Sequence, residues 1–405
     1  MGQSSREQAR RVTAMVPDAT GRRRPVLLYV VNVAWFFCLH RLPLARAARE
    51  AGFTVHVATA PDFAEHVAQI KAHGLIFHPL RLQRGRWSVR EEARLTLQLR
   101  ALYRELRPDV VHHVTIKPVL CGTLAARLTA VPAIVNSMSG LGFVYTATDR
   151  WAGLRRHVVE LSYRALLASR AIRVIFENSD DLRMFIDRRL VDSRQAVLIR
   201  GVGVDLERFR LAPARSGVPL VVLPGRMLWD KGVREFCAAA ALVRASGIAA
   251  RFVLVGGLDD GNPSAVPESW LREQERGGAV EWWGQRQDMT AVYAAAHIVC
   301  LPSYREGLPT VLVEAAACGC ALVTTDVPGC REVVRDGDTG LLVPPRDPQA
   351  LAQALGTILL DAPQRARFSE RAHERIVAEF SAAQVASSTN ALYCGLLGDS
   401  LHATS

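Results

Sequence analysis

The sequence predicts an α/β protein with two doubly wound, Rossmann-like parallel-sheet domains facing across a cleft. Short apolar runs alternate with longer stretches of helical periodicity, which is typical of βαβ units and parallel sheets. The chain has 405 residues and is 49% hydrophobic, so it is large enough for two cores and too long for one ordinary domain. The alternation is interrupted at 206–218, where polar residues and Pro213 separate two blocks of apolar runs.

The apolar runs give the expected strands in chain order. In the first block we expect strands near 25–31, 53–58, 109–113, 133–137, 172–176 and 196–199. In the second block we expect strands at 219–224, 251–255, 279–283, 297–302 and 320–325. Residues 347–397 carry the pattern of terminal helices. Because doubly wound sheets bind ligands beyond the carboxyl ends of their strands, residues just after these runs are the site candidates.

These elements divide the chain into five expected segments. They are a disordered lead-in at 1–22, a first domain at 23–205, a linker at 206–218, a second domain at 219–380 and a C-terminal helix at 381–405.

The start of the first domain has the basic and apolar composition of a signal peptide. Asn32 interrupts the apolar run, however, and the run is too short to cross a bilayer. His40 and Arg41 follow it, where a cleavage site needs small residues. We therefore expect a buried first strand, no membrane-spanning segment and a cytoplasmic protein.

Charge is distributed unevenly along the chain. Residues 1–205 carry 31 Lys and Arg against 17 Asp and Glu, whereas the remaining residues carry 19 against 22. A basic first half suggests an anionic partner such as an anionic membrane surface or a lipid diphosphate, although a merely soluble basic surface is an equal alternative. No zinc-finger spacing, helix-turn-helix or RNP-type aromatic pattern supports nucleic acid as the partner.

The eight cysteines form no C-x-x-C pair, and only one residue separates Cys318 from Cys320. This spacing is too close for the usual zinc ligands, so we expect reduced thiols and no structural metal.

Residues 301–320 carry the strongest functional signal. Glu306 precedes a predicted helix and Glu314 lies on it; the residues between them include Gly307, Leu308 and Thr310. Pro309 suits the first helical position, and the free N–H groups of the first turn form a phosphate site there. Glu314 lies one turn beyond Thr310 and leans toward the helix start, which brings its carboxylate to the ligand. The apolar neighbours of Glu314 argue against a solvated surface role.

The second block offers further candidates after its strands. Arg226 and Lys231 lie between a strand end and a helix start, where two cations can meet a diphosphate, although the alternative is a pair of surface cations. Gly256 and Gly257 end the next strand and permit close approach of a nucleotide, or form only a turn. Arg286 follows the third strand.

The first block places polar residues at the end of its third strand, in the stretch 108–118. His112 or His113 can orient or deprotonate a hydroxyl, and Lys117 can bind phosphate beside Thr115. Neighbouring strand residues point to opposite faces, so only one of the two histidines can face a site. Further along, Gly140 and Gly142 make a flexible loop at a strand end.

These motifs together resemble the retaining nucleotide-sugar glycosyltransferases of family 4, which have the GT-B fold. The similarity runs from about Pro25 to about Ala354 and rests on Glu306 and Glu314, which match the E-x7-E signature. It implies that Arg226 and Lys231 bind the donor diphosphate. It also implies that Gly256 and Gly257 lie against the nucleotide, that Arg286 lies near the base, and that the last helix crosses back to the first domain.

The acceptor side resembles H-x-x-T-x-K-P enzymes that use polyprenyl-diphosphate-linked sugars. His112, Thr115 and Lys117 match this pattern, whereas Val114 stands where other members carry the second histidine of H-x-H. The resemblance therefore favours His112 as the catalytic histidine and implies acceptor binding at Thr115, Lys117, Gly140 and Gly142.

The sequence thus predicts transfer of a sugar, with retention, from a nucleoside-diphosphate sugar (a UDP-sugar) to a lipid-linked saccharide acceptor. No D-x-D pair stands at a strand end in the context that a metal-dependent transferase needs, so we expect metal-independent activity without a cofactor. The protein is expected on the inner face of the plasma membrane as a peripheral protein. The alternatives are a same-fold epimerase, a transferase with a soluble acceptor, or a non-catalytic assembly subunit that binds nucleotide or lipid. The sequence indicates neither the sugar nor the oligomeric state.

Overall fold

A computed structural model of the chain describes residues 23–82, 88–139, 152–213, 215–259 and 261–402. The predicted lead-in at 1–22 and the predicted acceptor residues Gly140 and Gly142 lie outside the described residues. The described chain forms two compact units. The first contains 23–176, 181–202 and 385–402, and the second contains 177–180 and 203–384.

The first unit is built on a seven-stranded parallel sheet with the order β3-β2-β1-β4-β5-β6-β7. Its strands are β1 Val26–Val33, β2 Thr54–Ala60, β3 Ile76–Pro79, β4 Val110–Val114, β5 Ala133–Met138, β6 Ile172–Phe176 and β7 Ala196–Leu198. Six of them fall where the apolar runs predicted strands. The sequence did not predict β3, an edge strand of four residues in which only Ile76 and Phe77 are apolar before His78 and Pro79.

Helices cover both faces of this sheet. They are α1 Ala34–His40, α2 Leu42–Glu50, α3 Ala64–Ala72, α4 Val89–Leu106, α5 Thr123–Leu128, α6 Ala152–Leu167 and α7 Ser179–Asp187, with a π-helix at Pro118–Gly122. Alternate strand residues enter two cores, as the two-residue period of a strand requires. Leu28 and Val30 pack on one face, and Leu27 and Tyr29 pack on the other.

The second unit has a six-stranded parallel sheet with the order β10-β9-β8-β11-β12-β13. Its strands are β8 Leu220–Pro224, β9 Arg251–Val255, β10 Glu281–Trp282, β11 Ile298–Leu301, β12 Ala321–Thr325 and β13 Leu341–Val343. Five of these strands fall within the predicted runs. The sixth, β13, has only three residues and was not predicted.

Eight helices follow in the described part of this half of the chain. They are α8 Val233–Ala245, α9 Glu268–Arg276, α10 Met289–Ala295, α11 Thr310–Ala317, α12 Cys330–Val333, α13 Pro348–Leu360, α14 Ala362–Glu379 and α15 Ala382–His402, with a 3-10 turn at Trp229–Lys231. From Val385 onward α15 belongs to the first unit, where Tyr393 and Leu396 join a hydrophobic core. Within the described ranges, no helix is both long and apolar enough to cross a membrane.

The strand order reverses direction at one point in each sheet, between β1 and β4 and between β8 and β11. The loops that follow two such neighbouring strands diverge to opposite faces, which opens a crevice at the carboxyl edge of the sheet. In the second unit these two loops are 225–232 and 302–309, the segments that carry Arg226, Lys231 and Glu306.

Candidate active site

Glycines allow the loops of the second unit to pack closely at the carboxyl edge of its sheet. A Cβ atom on Gly256 would lie 1.6 Å from the carbonyl oxygen of Gly225, so only glycine fits there. Gly232 has φ +74, and a Cβ on it would lie 2.1 Å from the carbonyl oxygen of Pro302. Gly256 therefore lets two loops approach closely, and a Cβ on the neighbouring Gly257, also a predicted site residue, would lie 3.1 Å from Gln285 Oε1.

Lys231 and Glu306 form the centre of the site. The ammonium Nζ of Lys231 donates to Glu306 Oε1 at 2.6 Å, and the Ser303 hydroxyl donates to the same oxygen at 2.6 Å. The side chains of Lys231 and Glu306 are 23% and 11% exposed. This partial burial strengthens the ion pair relative to one on an open surface, while leaving both groups within reach of a ligand.

Helix α11 starts beside this pair. The sequence placed Pro309 at the first helical position, but Pro309 is the extended N-cap residue and Thr310 is the first residue of the helix. The Pro309 carbonyl accepts from Leu312 N–H at 3.0 Å and from Val313 N–H at 3.4 Å. The amides of Thr310 and Val311 precede the first α-helical hydrogen bond, which is the arrangement that binds anions at helix starts.

The loop before α11 is fixed by contacts to Gly307. Gly329 has φ +81, and a Cβ there would lie 2.5 Å from the Gly307 carbonyl oxygen. The Asn178 side-chain amide donates to that same oxygen at 2.9 Å, within the second unit. Leu308 packs against the core beneath. Gly307 and Leu308 therefore form a tightly held turn next to Glu306.

Glu314 lies partly buried on α11. The Tyr293 hydroxyl, on α10, donates to Glu314 Oε2 at 2.9 Å. Burial raises the pKa of Glu314 from 4.5 to about 7, against the opposing effects of this hydrogen bond and of Arg208. Burial therefore favours the protonated form of this carboxyl more than water does. Sequence reasoning missed Tyr293, because nothing in its local pattern shows that a buried tyrosine meets a carboxylate 21 residues away.

Arg226 has a different partner from Lys231. Its guanidinium forms a short ion pair with Asp259, in the loop after β9, and its side chain is 45% exposed. The two predicted diphosphate-binding cations thus each hold a separate carboxylate. Arg286 lies on the exposed side of Trp283, with its guanidinium 5.7 Å from the indole centroid.

His112 lies in the interior of the first unit, and the catalytic role that the sequence assigned to it stays a prediction. It is 1% exposed, and its ring nitrogens are 2.6 Å from the Tyr393 hydroxyl and 2.6 Å from the Ser137 hydroxyl. Burial, with Arg41 nearby, holds the pKa of His112 well below its usual range, so the ring is neutral. His112 is buried because β4 is a central strand that is covered on both faces.

His113 is buried on the opposite face of β4. Its ring nitrogens are 2.9 Å from the Tyr103 hydroxyl and 2.8 Å from Asn136 Oδ1, and burial lowers its pKa to about 4. The strand alternation therefore separates the two histidines as expected, and it directs both into packing.

Thr115 and Lys117 follow β4 at the carboxyl edge of the first sheet. Thr115 has φ +75, a left-handed conformation that strains a β-branched residue and often marks functional sites. Lys117 forms an ion pair with Glu92 of α4 at 2.8 Å, and its side chain is 13% exposed. The π-helix Pro118–Gly122 comes next, a rare element that is frequent at functional sites.

A large cavity lies elsewhere, at the amino-terminal edge of the first sheet. It encloses about 1600 Å³ and is lined by residues that precede β1, β4, β5, β6 and β7, together with arginines such as Arg170, Arg189 and Arg194. Its size does not make it the active site, because the loops that carry Thr115 and Lys117 lie at the opposite edge of that sheet. In the part of the chain that the structure describes, no group of three or more His, Cys, Asp or Glu side chains is placed to hold a metal.

Two family models match separate parts of the sequence. Residues 26–178 match the model described as "Glycosyl transferase 4-like", and residues 218–361 match "Glycosyl transferases group 1". Among curated proteins, the chain is 28% identical over 345 residues to N,N'-diacetylbacillosaminyl-diphospho-undecaprenol alpha-1,3-N-acetylgalactosaminyltransferase of Campylobacter jejuni, covering 82% of this chain and 89% of that protein. It is 30% identical over 312 residues to alpha-maltose-1-phosphate synthase of Mycobacterium tuberculosis, covering 70% and 78%.

Solved structures share the fold. Sucrose-phosphate synthase from Thermosynechococcus elongatus superposes with a TM-score of 0.75 and 21% identity, covering 93% of this chain and 100% of that one. Anabaena Alr3699/HepE in complex with UDP and glucose superposes with a TM-score of 0.73 and 18% identity, covering 92% and 100%. With the motifs and the two parallel sheets, these matches lead to one conclusion: the chain is a glycosyltransferase of family 4 with the GT-B fold.

Proposed function

We propose that this glycosyltransferase moves a sugar from a UDP-sugar to a hydroxyl of a lipid-diphosphate-linked saccharide, with retention of configuration. The observation that carries the proposal is the contact of Lys231 with Glu306 beside the start of α11. The Campylobacter relative is named for an acceptor on diphospho-undecaprenol, and the Anabaena neighbour was crystallised with UDP and glucose. Such a reaction would serve the synthesis of surface polysaccharide or a glycan precursor.

The proposed chemistry depends on stabilising the leaving diphosphate. Lys231, Arg226 and the amides at the start of α11 supply positive charge, and one well-placed donor of this kind contributes roughly 3 kcal/mol to transition-state stabilisation. Arg226 exchanges Asp259 for a diphosphate oxygen. The anomeric C–O bond breaks with oxocarbenium character. The acceptor hydroxyl enters on the face the diphosphate leaves and passes its proton to the departing diphosphate oxygen, and UDP is released.

The remaining donor contacts follow from positions on α11 and the loop before it. Glu306 accepts from hydroxyls of the donor sugar, and Glu314 accepts from the ribose hydroxyls. The nucleotide is lined by Gly307, Leu308, Thr310, Gly256, Gly257 and Arg286. On the acceptor side, Thr115 and Lys117 contact the lipid diphosphate, and the arginines of the first unit favour peripheral binding to the anionic inner face of the plasma membrane.

Charge stabilisation by these side chains and amides leads us to propose turnover without a divalent cation. Activity that persists in excess chelator supports this proposal, and activity that is lost in chelator and restored by Mg²⁺ or Mn²⁺ refutes it.

A soluble phosphorylated acceptor is the second candidate. It is favoured by the Mycobacterium relative, whose name describes the synthesis of a sugar phosphate. An epimerase of the same fold and a non-catalytic assembly subunit are further alternatives, and each predicts a different product from the same incubation.

The test is a panel of UDP-, GDP- and dTDP-sugars incubated with the purified protein and a membrane lipid extract, with products identified by mass. Free UDP together with a lengthened lipid-linked saccharide supports the proposal, and Glu314→Ala should abolish that product while the protein remains folded. An isomerised donor without acceptor indicates an epimerase. A product in the aqueous phase indicates a soluble acceptor. Nucleotide binding without consumption of any donor indicates an assembly subunit.

A further inference from the structure

Tyr304 connects the two segments that carry the central ion pair of the site. It lies in the loop between β11 and α11, two residues before Glu306. Its backbone N–H donates to the carbonyl of Asp230 at 2.9 Å. Asp230 is the neighbour of Lys231 in the 3-10 turn Trp229–Lys231. One residue therefore fixes the spacing between the backbone that carries Lys231 and the backbone that carries Glu306.

The side chain of Tyr304 is held from two further elements. Its hydroxyl donates to Glu235 Oε1 at 2.9 Å, in the first turn of α8. The Arg346 guanidinium lies 4.3 Å from the centre of the Tyr304 ring, close enough for a cation–π contact. Arg346 follows β13 and has φ +62, which strains a non-glycine residue. The loops after β8, β11 and β13 thus converge on this tyrosine.

Glu235 is an unusual anchor. It is 7% exposed, and its second carboxylate oxygen, Oε2, has no hydrogen-bond partner among the described residues. A buried carboxylate with an unpaired oxygen destabilises a fold, and an apolar residue would serve packing alone better. Among the described residues, the Glu235 side chain accepts one hydrogen bond, and it comes from Tyr304. Burial raises the pKa of Tyr304 to about 12, so this phenol stays a donor at all ordinary pH values.

We propose that Tyr304, anchored by Glu235 and Arg346, is a positioning residue that sets the geometry of the Lys231–Glu306 pair for catalysis. The inference rests on the proposed function, because it requires that Glu306 and Lys231 contact the donor. Tyr304 itself acts through them. Catalytic groups must be held to within a fraction of an ångström, and loops reach that precision only when supporting contacts lock them.

The first test separates turnover from binding. Tyr304→Phe removes only the hydroxyl, and Glu235→Ala removes its acceptor. We expect each to lower kcat about tenfold while the donor KM stays within about twofold, since a lost positioning contact acts mainly in the transition state. Glu235→Gln keeps a carbonyl oxygen for the phenol and should restore most of kcat. Tyr103→Phe is the matched control in the first unit, because it also removes a buried tyrosine hydroxyl and should leave kcat unchanged.

The decisive test is a double-mutant cycle with Glu306→Gln. If Tyr304 acts through Glu306, Tyr304→Phe costs little further kcat once Glu306 is already changed. If the fold-losses of kcat from Tyr304→Phe and Glu306→Gln multiply in full in the double variant, Tyr304 supports the fold in general and the proposal is refuted. Should Tyr304→Phe fail to fold, the same cycle with Glu235→Ala decides the matter.

The same data separate this inference from the proposed function. If Glu306→Gln turns over normally, the role of Glu306 is wrong and the inference falls with it. If Glu306→Gln loses turnover while Tyr304→Phe and Glu235→Ala keep wild-type kcat, only the positioning role is refuted.

Discussion

The raised pKa of Glu314 makes the stability of the protein depend on pH in a way that one substitution can isolate. The carboxyl has a pKa of about 7 in the folded protein and 4.5 as its ordinary value. Between these values the folded state binds more protons than the unfolded state, so the free energy of unfolding falls as pH rises. The contribution of the protonated carboxyl to the free energy of unfolding is fully present below pH 4.5. It is lost as the pH rises through 7.

Glu314→Gln replaces the titrating carboxyl with a neutral group of the same shape. Proton linkage for this one group, with these folded and unfolded pKa values, gives a change of about 2–3 kcal/mol between pH 5 and pH 8.5 in the stability difference between the variant and the wild type. The variant should gain relative stability as pH rises, because the wild type must bury a charge at pH 8.5. Partial exposure of Glu314 makes this figure an upper value.

The assay is denaturant unfolding at a series of pH values, followed by tryptophan fluorescence. Four tryptophans lie in the second unit with Glu314 and report the unfolding of that unit: Trp229, Trp270, Trp282 and Trp283. Thr357→Val is the control, because it changes a hydroxyl on α13 and no titrating group. A stability difference between Glu314→Gln and wild type that stays constant from pH 5 to pH 8.5 would refute the reasoning. Tyr293→Phe should move the transition to higher pH, since the lost hydrogen bond lowered the pKa.

Three further predictions concern single contacts. Asp259→Asn frees Arg226 from its carboxylate partner, so we expect the donor KM to fall about threefold, and the gain should vanish when Arg226→Ala is added. Thr115→Gly relieves the positive φ and should raise the free energy of unfolding by about 0.5–1 kcal/mol while the acceptor KM rises, as measured by denaturation and by initial rates. His112→Gln breaks a buried network and should lower the melting temperature. A kcat loss above 100-fold in the folded fraction supports the predicted catalytic role of His112, and a kcat within about twofold of the wild type refutes it.

The sequence predicted the fold well because its evidence was periodic and local. Buried strands such as β8 and β11 are continuous apolar runs, and eleven of the thirteen described strands overlap predicted ones. The two missed strands, β3 and β13, overlap apolar runs of only three residues, at 75–77 and 341–343, which end at His78 and Pro344. The shift of one residue at Pro309 has a similar origin, because proline fits both the N-cap and the first helical position.

The site was predicted less completely, because its side chains depend on contacts between distant parts of the chain. The sequence identified Glu306 and Lys231, yet their direct bond joins residues 75 positions apart. Asp259, Tyr293 and Glu235 carry no local motif and emerge only as partners. His112 matches a motif, yet the apolar run around it already indicated a strand with both faces buried.

Each of the two predicted diphosphate-binding cations pairs with a carboxylate, and this pairing bears on how the diphosphate would bind. Lys231 is tied to Glu306, which the proposed chemistry needs in place, whereas Arg226 is tied to Asp259, which that chemistry does not use. A diphosphate that reaches Lys231 joins an existing pair, and the amides of α11 offset the added negative charge. A diphosphate that reaches Arg226 must instead displace a carboxylate. Removing the partner should therefore have opposite effects at the two positions: loss of turnover for Glu306→Gln and a lower donor KM for Asp259→Asn.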